Sequence, residues 1–194
     1  NIFYIIFVFL LIPMFISQKY HEDFGYYHLP YALSFIEEKI VFGFANIDKP
    51  FVYNSIWLNL YPIFFSENKN FDFLMLPGYL LFLSFIMFSI NKILNKKYIE
   101  ISDYYLTIIL FYFLLKFTRI SEFGVDFPAS IFSILSIYYF IKFNETNKET
   151  KKKSFFYLNF TFAIFSILIK LSTAPIIILP FYLYLSNFKN LKFY

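Results

Sequence analysis

Six runs of predominantly apolar residues, at about 1–17, 71–91, 103–118, 125–142, 154–170 and 173–187, constrain this chain more than any other feature. At 1.5 Å per residue each gives a helix that crosses, or nearly crosses, a hydrocarbon layer of ~30 Å. A backbone in such a layer must satisfy its own hydrogen bonds, and a helix does so within one segment. The whole chain is 59% hydrophobic and 15% charged, with a mean hydropathy of +0.60, against roughly 45–50% and 25% in soluble domains. A soluble domain of 194 residues cannot hide that excess, and the same composition excludes disorder. The runs predict an all-α, polytopic membrane helix bundle with about six transmembrane helices. The 32 Phe and 18 Tyr, with abundant Ile, Lys and Asn, read as AT-rich coding bias.

The chain starts at Asn1 inside an apolar run, with no basic segment and no small-residue cleavage site, so a signal peptide does not fit. The first run, about 17 residues or ~25 Å, falls a little short of a full span. Residues 1–194 therefore read as a single transmembrane domain, expected to be incomplete at both ends. Without Cys, disulfides and thiolate chemistry are excluded, and His21 and His28 are too few for a His-rich metal cage. The net charge of +4 needs no nucleic-acid partner, because the Lys residues sit in the connections between runs.

Those connections set an orientation. Lys92, Lys96 and Lys97, then Lys142, Lys148 and Lys151–Lys153, then Lys189 and Lys192, fall in three segments that alternate with the stretch 18–70. Lys in short connections marks the cytoplasmic side. The stretch 18–70, the turn from Arg119 to Asp126 and Lys170 are thereby expected together on the extracytoplasmic side. Within 18–70, Leu29, Leu33, Ile36 and Ile40 form one helical stripe with Glu37, Glu38 and Lys39 off it, which predicts an amphipathic interfacial helix. Asn54 or Ser55 then caps a second interfacial helix carrying Ile56, Trp57, Leu60, Ile63 and Phe64.

Polar groups at membrane depth are costly and invite explanation. Three clusters share the predicted extracytoplasmic side: His21-Glu22-Asp23 with Tyr26, Tyr27 and His28; Arg119, Ser121, Glu122, Gly124, Asp126 and Pro128; and Lys170 with Ser172. A carboxylate, an Arg and a Lys converging at one interface can hold an anionic headgroup while the carboxylate handles a proton. Each also has a plainer reading. Arg119 and Glu122 make an interfacial ion pair, Lys170 snorkels to the headgroups, and Tyr26, Tyr27 and Trp57 belong to an aromatic belt. Glu22 and Asp23, with His28, are also candidate ligands of Mg or Mn.

The segment Asp23-Phe-Gly-Tyr-Tyr27-His28-Leu29-Pro30, after the first run, resembles a pattern in bacterial integral membrane glycosyltransferases of the GT-C fold, relatives of the protein O-mannosyltransferases and of the aminoarabinose transferases that modify lipid A. Gly43-Phe-Ala-Asn46, Asn54-Ser55-Ile-Trp57, Asp126-Phe-Pro128 and Lys170-Leu-Ser172 resemble the sequel. The resemblance implies an inner-membrane enzyme that moves a sugar, with inversion, from a polyprenyl-phosphate donor to an extracytoplasmic lipid, glycan or protein acceptor. On that reading Asp23 or Glu22 is the catalytic acid, and many relatives carry Asp-Glu or Asp-Asp where this chain has Glu22-Asp23. Tyr27, His28, Asn54, Arg119, Glu122, Asp126 and Lys170 bind substrate, and Glu22 with Asp23 holds any divalent cation. The rivals are a transporter or flippase for a lipid-linked or anionic solute, and a non-catalytic membrane component of the cell envelope.

Overall fold

A computed structural model describes residues 5, 9, 11–13, 22–37, 46, 55–64, 74–94, 98–116 and 123–187. All regular structure among them is helical, as composition predicts. A π-helical turn at Phe24–His28 runs into α1 (Leu29–Glu37). A 3-10 helix at Leu58–Phe64 is followed by α2 (Leu76–Leu94), α3 (Ile101–Leu115), α4 (Asp126–Glu145) and α5 (Glu149–Ile169). A 3-10 segment at Leu171–Ile177 then leads into α6 (Ile178–Ser186).

Two of these helices, α2 and α5, with 19 and 21 residues, are long and apolar enough to cross a membrane. Only 33% and 28% of their most apolar windows are buried, whereas a core helix of a soluble domain is mostly covered. Six transmembrane helices are not supported among the described residues. The 15 residues of α3 cover only about 22 Å. In α4, Asp126, Lys142 and Glu145 combine with Ser130, Ser133 and Ser136 to bring hydropathy below that of a span. The expected run 173–187 is divided: Pro175 lies in the 3-10 segment and Pro180 in the first turn of α6. Most of the run 1–17 lies outside the described residues.

The chain divides into two compact units, the first formed by Asn1–Met87 and Phe113–Pro128. Here α1 packs on the 3-10 helix Leu58–Phe64. Its covered face is His28, Tyr31 and Ala32, while the predicted stripe is the open one, with Leu29 and Leu33 half-buried and Ile36 exposed. Ser55 caps the second segment as expected, its hydroxyl accepting the Trp57 N–H at 3.3 Å and its carbonyl the Leu58 N–H at 3.1 Å. That segment winds as a 3-10 helix, with Pro62 inside it. Phe82, Phe113 and Phe127 close a ring cluster with edge-to-face contacts of 5.5, 5.3 and 5.6 Å, a favoured aromatic geometry.

The second unit is formed by Phe88–Tyr112 and Ala129–Tyr194. Ser133 meets Ser166, Ser136 meets Asn159, and Tyr139 meets Phe155, so residue numbers fall along α5 as they rise along α4 and the two helices run antiparallel. Their seam is polar and closely bonded. The Asn159 amide donates to the Ser136 carbonyl and hydroxyl at 2.8 and 2.9 Å, and the Ser136 hydroxyl donates to the Asn159 carbonyl at 3.1 Å. Small hydroxyl residues let helices approach closely and bond across an apolar medium, the usual glue of membrane bundles. Phe143, Phe156 and Leu183 bring α6 onto the same pair.

Side chains from different helices also fix the start of α3. Asp103 accepts the Glu100 N–H at 2.9 Å, half of a capping box. Glu145, at the end of α4, accepts the Ser102 N–H at 2.9 Å and the Ser102 hydroxyl at 2.8 Å. Lys142 pairs with Glu145 at 3.2 Å and also with Glu100. The start of α3 and the end of α4 therefore lie together, as the alternation of Lys-rich connections requires.

Candidate functional site

The site grows from the π-turn. The Leu29 N–H donates to the Phe24 carbonyl, five residues back instead of four. In a regular α-helix a residue five positions on lies about 140° round. The wider turn brings His28 back toward the side of Asp23, with Tyr27 beside it. The Asp23 carboxylate lies near enough to the Tyr27 phenol to act on its ionisation. Asp126, the first residue of α4, is near enough for its charge to act on the same phenol. Burial first, and then these two carboxylates, push Tyr27 up from 10.0 to about 12.

An aromatic wall backs these groups. The His28 ring, only 5% exposed, stands edge-on to Tyr27 at 4.3 Å and lies 6.1 Å from Phe123. Phe123 is the hub, with Phe24 at 4.9 Å and Tyr61 at 4.2 Å. Gly124 lies beside the His28 ring, where an added Cβ would stand in van der Waals contact, 3.4 Å from Cε1. Trp57 donates through Nε1 to the Tyr61 hydroxyl at 2.9 Å. Both rings are buried, and burial raises the Tyr61 phenol above its ordinary value. Trp57, Tyr61, Met75, Gly78, Gly124, Phe127 and Pro128 line a recess with room for about one water molecule, too small to enclose a sugar ring.

Of the candidates, Asp23, Tyr27, His28 and Asp126 come together in the first unit. Glu22 is exposed beside them. Asn54, Arg119 and Glu122 lie outside the described residues. Lys170 belongs to the second unit, where it ends α5 with extended φ and ψ of −146° and 114°. The Ser166 hydroxyl braces that break, meeting the Ala129 carbonyl, Ser133 and Thr173 at 2.9, 2.7 and 2.9 Å. The belt assignment fails for Trp57, which is buried, while Tyr26 is exposed. No group of three His, Asp or Glu that could hold a metal ion converges among the described residues. Sequence reasoning missed Phe123 and Tyr61, for which only a pairing signal between distant aromatics would have served.

The described residues thus define an all-helical protein with two helices of spanning length and a carboxylate–phenol cluster against an aromatic wall. The chain belongs to the family described as the domain of unknown function DUF8201, which matches it over residues 1–194. No curated protein and no solved structure matches it.

Proposed function

We propose that the chain is part of a GT-C-like membrane glycosyltransferase of the bacterial inner membrane, a polytopic bundle of about six spans whose site faces the extracytoplasmic side. The observation that carries the reading is that Asp126, from the head of α4, comes near Asp23 and Tyr27 on the segment whose sequence resembles that superfamily. In the proposed reaction an acceptor hydroxyl oxygen bonds to the anomeric carbon of a polyprenyl-phosphate sugar, on the face opposite the phosphate. The bond from that carbon to the phosphate oxygen breaks, its electron pair stays on the phosphate, and the hydroxyl proton passes to Asp23. The product is inverted at the anomeric carbon. Arg119 and Lys170 are the proposed counter-charges for the leaving phosphate, an interaction worth most away from bulk water.

Transfer of labelled sugar from polyprenyl-phosphate donors in native membranes tests this. Asp23→Asn, present at wild-type level, abolishes transfer if Asp23 is the base. Undiminished transfer would move the chemistry to Glu22. A second reading, passage of a solute, draws on the polar seam of Ser133, Ser136, Asn159 and Ser166 between α4 and α5. Those groups bond chiefly to one another, which favours packing. Uptake of an anionic solute into vesicles, lost in Asn159→Leu, would reverse that preference.

A further inference from the structure

Basic residues of the second unit gather at one end of it. Tyr139 of α4 marks the level, with Phe88, near the end of α2, at 6.4 Å and Phe155, near the start of α5, at 5.9 Å. About one turn nearer the helix ends, Lys92 stands over the Phe88 ring at 5.6 Å and Lys152 over the Phe143 ring at 5.7 Å. Lys148 precedes α5 directly, and the Lys152 N–H donates to its carbonyl at 3.0 Å, so the two residues lie one above the other with Lys151 beside them. Carboxylates answer little of this charge. Lys142 pairs with Glu145 and Glu100, whereas Lys92, Lys148, Lys151 and Lys152 meet no carboxylate among the described residues. Glu149 is the single acid in the first turn of α5.

Like charges three and four residues apart on a helix repel, so Lys148, Lys151 and Lys152 are better placed once an anion meets them. We propose that this end of the second unit docks on the phosphodiester headgroups of anionic phospholipids in the leaflet that it faces. The inference needs α2 and α5 to span a membrane, and it needs nothing of the glycosyltransferase reading. Depth selects a lipid as the source of the phosphate. The apolar stretch of α5 begins at Phe155, so Lys151 and Lys152 stand ~4–6 Å beyond it at 1.5 Å per residue. The headgroup layer occupies roughly that interval outside the hydrocarbon. Lys152 is half-buried over Phe143 while Lys148 and Lys151 are exposed, the disposition of stems that lie on apolar surface and carry ammonium groups into such a layer. Tyr157, exposed one turn inside Lys153, is a residue type of the same interface. Clustered lysines beside a span attract anionic lipid in proportion to their number.

Spin-labelled lipids read this docking. The full chain is reconstituted in phosphatidylcholine vesicles with a trace of spin-labelled phosphatidylglycerol or spin-labelled phosphatidylcholine, and the immobilised fractions give the relative association constant of the anionic lipid. Wild type is expected to prefer phosphatidylglycerol about fivefold, falling toward parity when Lys148→Gln, Lys151→Gln and Lys152→Gln are combined. The same three positions changed to Arg keep the preference, which separates charge from any loss of fold. Equal charge removed elsewhere in the Lys-rich connections, by Lys96→Gln, Lys97→Gln and Lys189→Gln, leaves most of it. A preference that survives the triple Gln change, falls as far in the Arg variant, or falls equally in the control overturns the proposal. Displacement of the labelled lipid by inorganic phosphate, but not by chloride at the same ionic strength, would make this a site for a free anion and overturn the lipid assignment. Release of wild type from the vesicles by alkaline carbonate would remove the spans, and the docking with them.

Discussion

At the scale of single residues, Tyr27 makes folding sensitive to alkali. Its native phenol ionises at about 12 instead of 10.0, because of burial and the charges of Asp23 and Asp126. Below pH 10 both native and unfolded chains keep this proton, and the stability linked to it is fully present. As pH rises from 10 toward about 12 the unfolded chain gives up the proton first, and stability falls. Burial acts in the same sense on Tyr61, so wild type alone does not isolate the contribution. The expected result is a steeper loss of thermal midpoint between pH 10 and 12 in wild type than in Tyr27→Phe, read by circular dichroism in detergent. Equal slopes would show that the hydroxyl of Tyr27 is solvated alike in both states. Asp23, Tyr27 and His28 were legible in the sequence because they share one short motif. Phe123 was not. Among 32 Phe it carries no local mark, and its importance comes from Phe24, His28 and Tyr61 arriving from two other segments. Trp57 was misassigned because a lone Trp before an apolar helix suits an interface as well as a buried contact, and only the Tyr61 hydroxyl decides between them.

At the scale of elements, the start of α3 depends on α4. Glu145 accepts both the N–H and the hydroxyl of Ser102, a cap supplied by another helix. Glu145→Ala leaves both donors without that acceptor and is expected to destabilise the chain by about 1–2 kcal/mol, the usual range for a lost helix cap. Glu145→Gln, which keeps an acceptor oxygen, is expected to lose less. Ser102→Ala combined with Glu145→Ala should cost less than the sum of the two single changes, because both remove the bond from the Ser102 hydroxyl to Glu145. Strict additivity in urea unfolding would mean that Glu145 acts through the Ser102 N–H and Lys142 and not through the hydroxyl. This cap could not be read from the sequence, where Ser102 and Glu145 are 43 residues apart. The helices themselves could be read, because apolar runs fix where helices exist. Their lengths were less legible: α3 has only 15 residues, and the expected run 173–187 is divided between a 3-10 segment and the short α6.

At the scale of the whole molecule, the alternation of Lys-rich connections predicts which ends of the helices share a side, and orientation can be tested because the chain contains no Cys. Gly25 is exposed, with nothing within 4 Å of an added Cβ, and Ser154 is exposed near the start of α5. Gly25→Cys should react with a membrane-impermeant maleimide applied outside the cell, and Ser154→Cys only after the membrane is opened. The reverse pattern would turn the Asp23 cluster to the cytoplasm and exclude an extracytoplasmic acceptor. The bond between Ser102 and Glu145 bears in addition on how such a chain is made. A ribosome releases residues in order, so α3 is synthesised well before the side chain that completes its first turn. Until Glu145 emerges, the Ser102 N–H must be satisfied by water or another acceptor. Completion of α3 only once α4 has docked beside it, instead of one helix at a time, follows from that order of arrival.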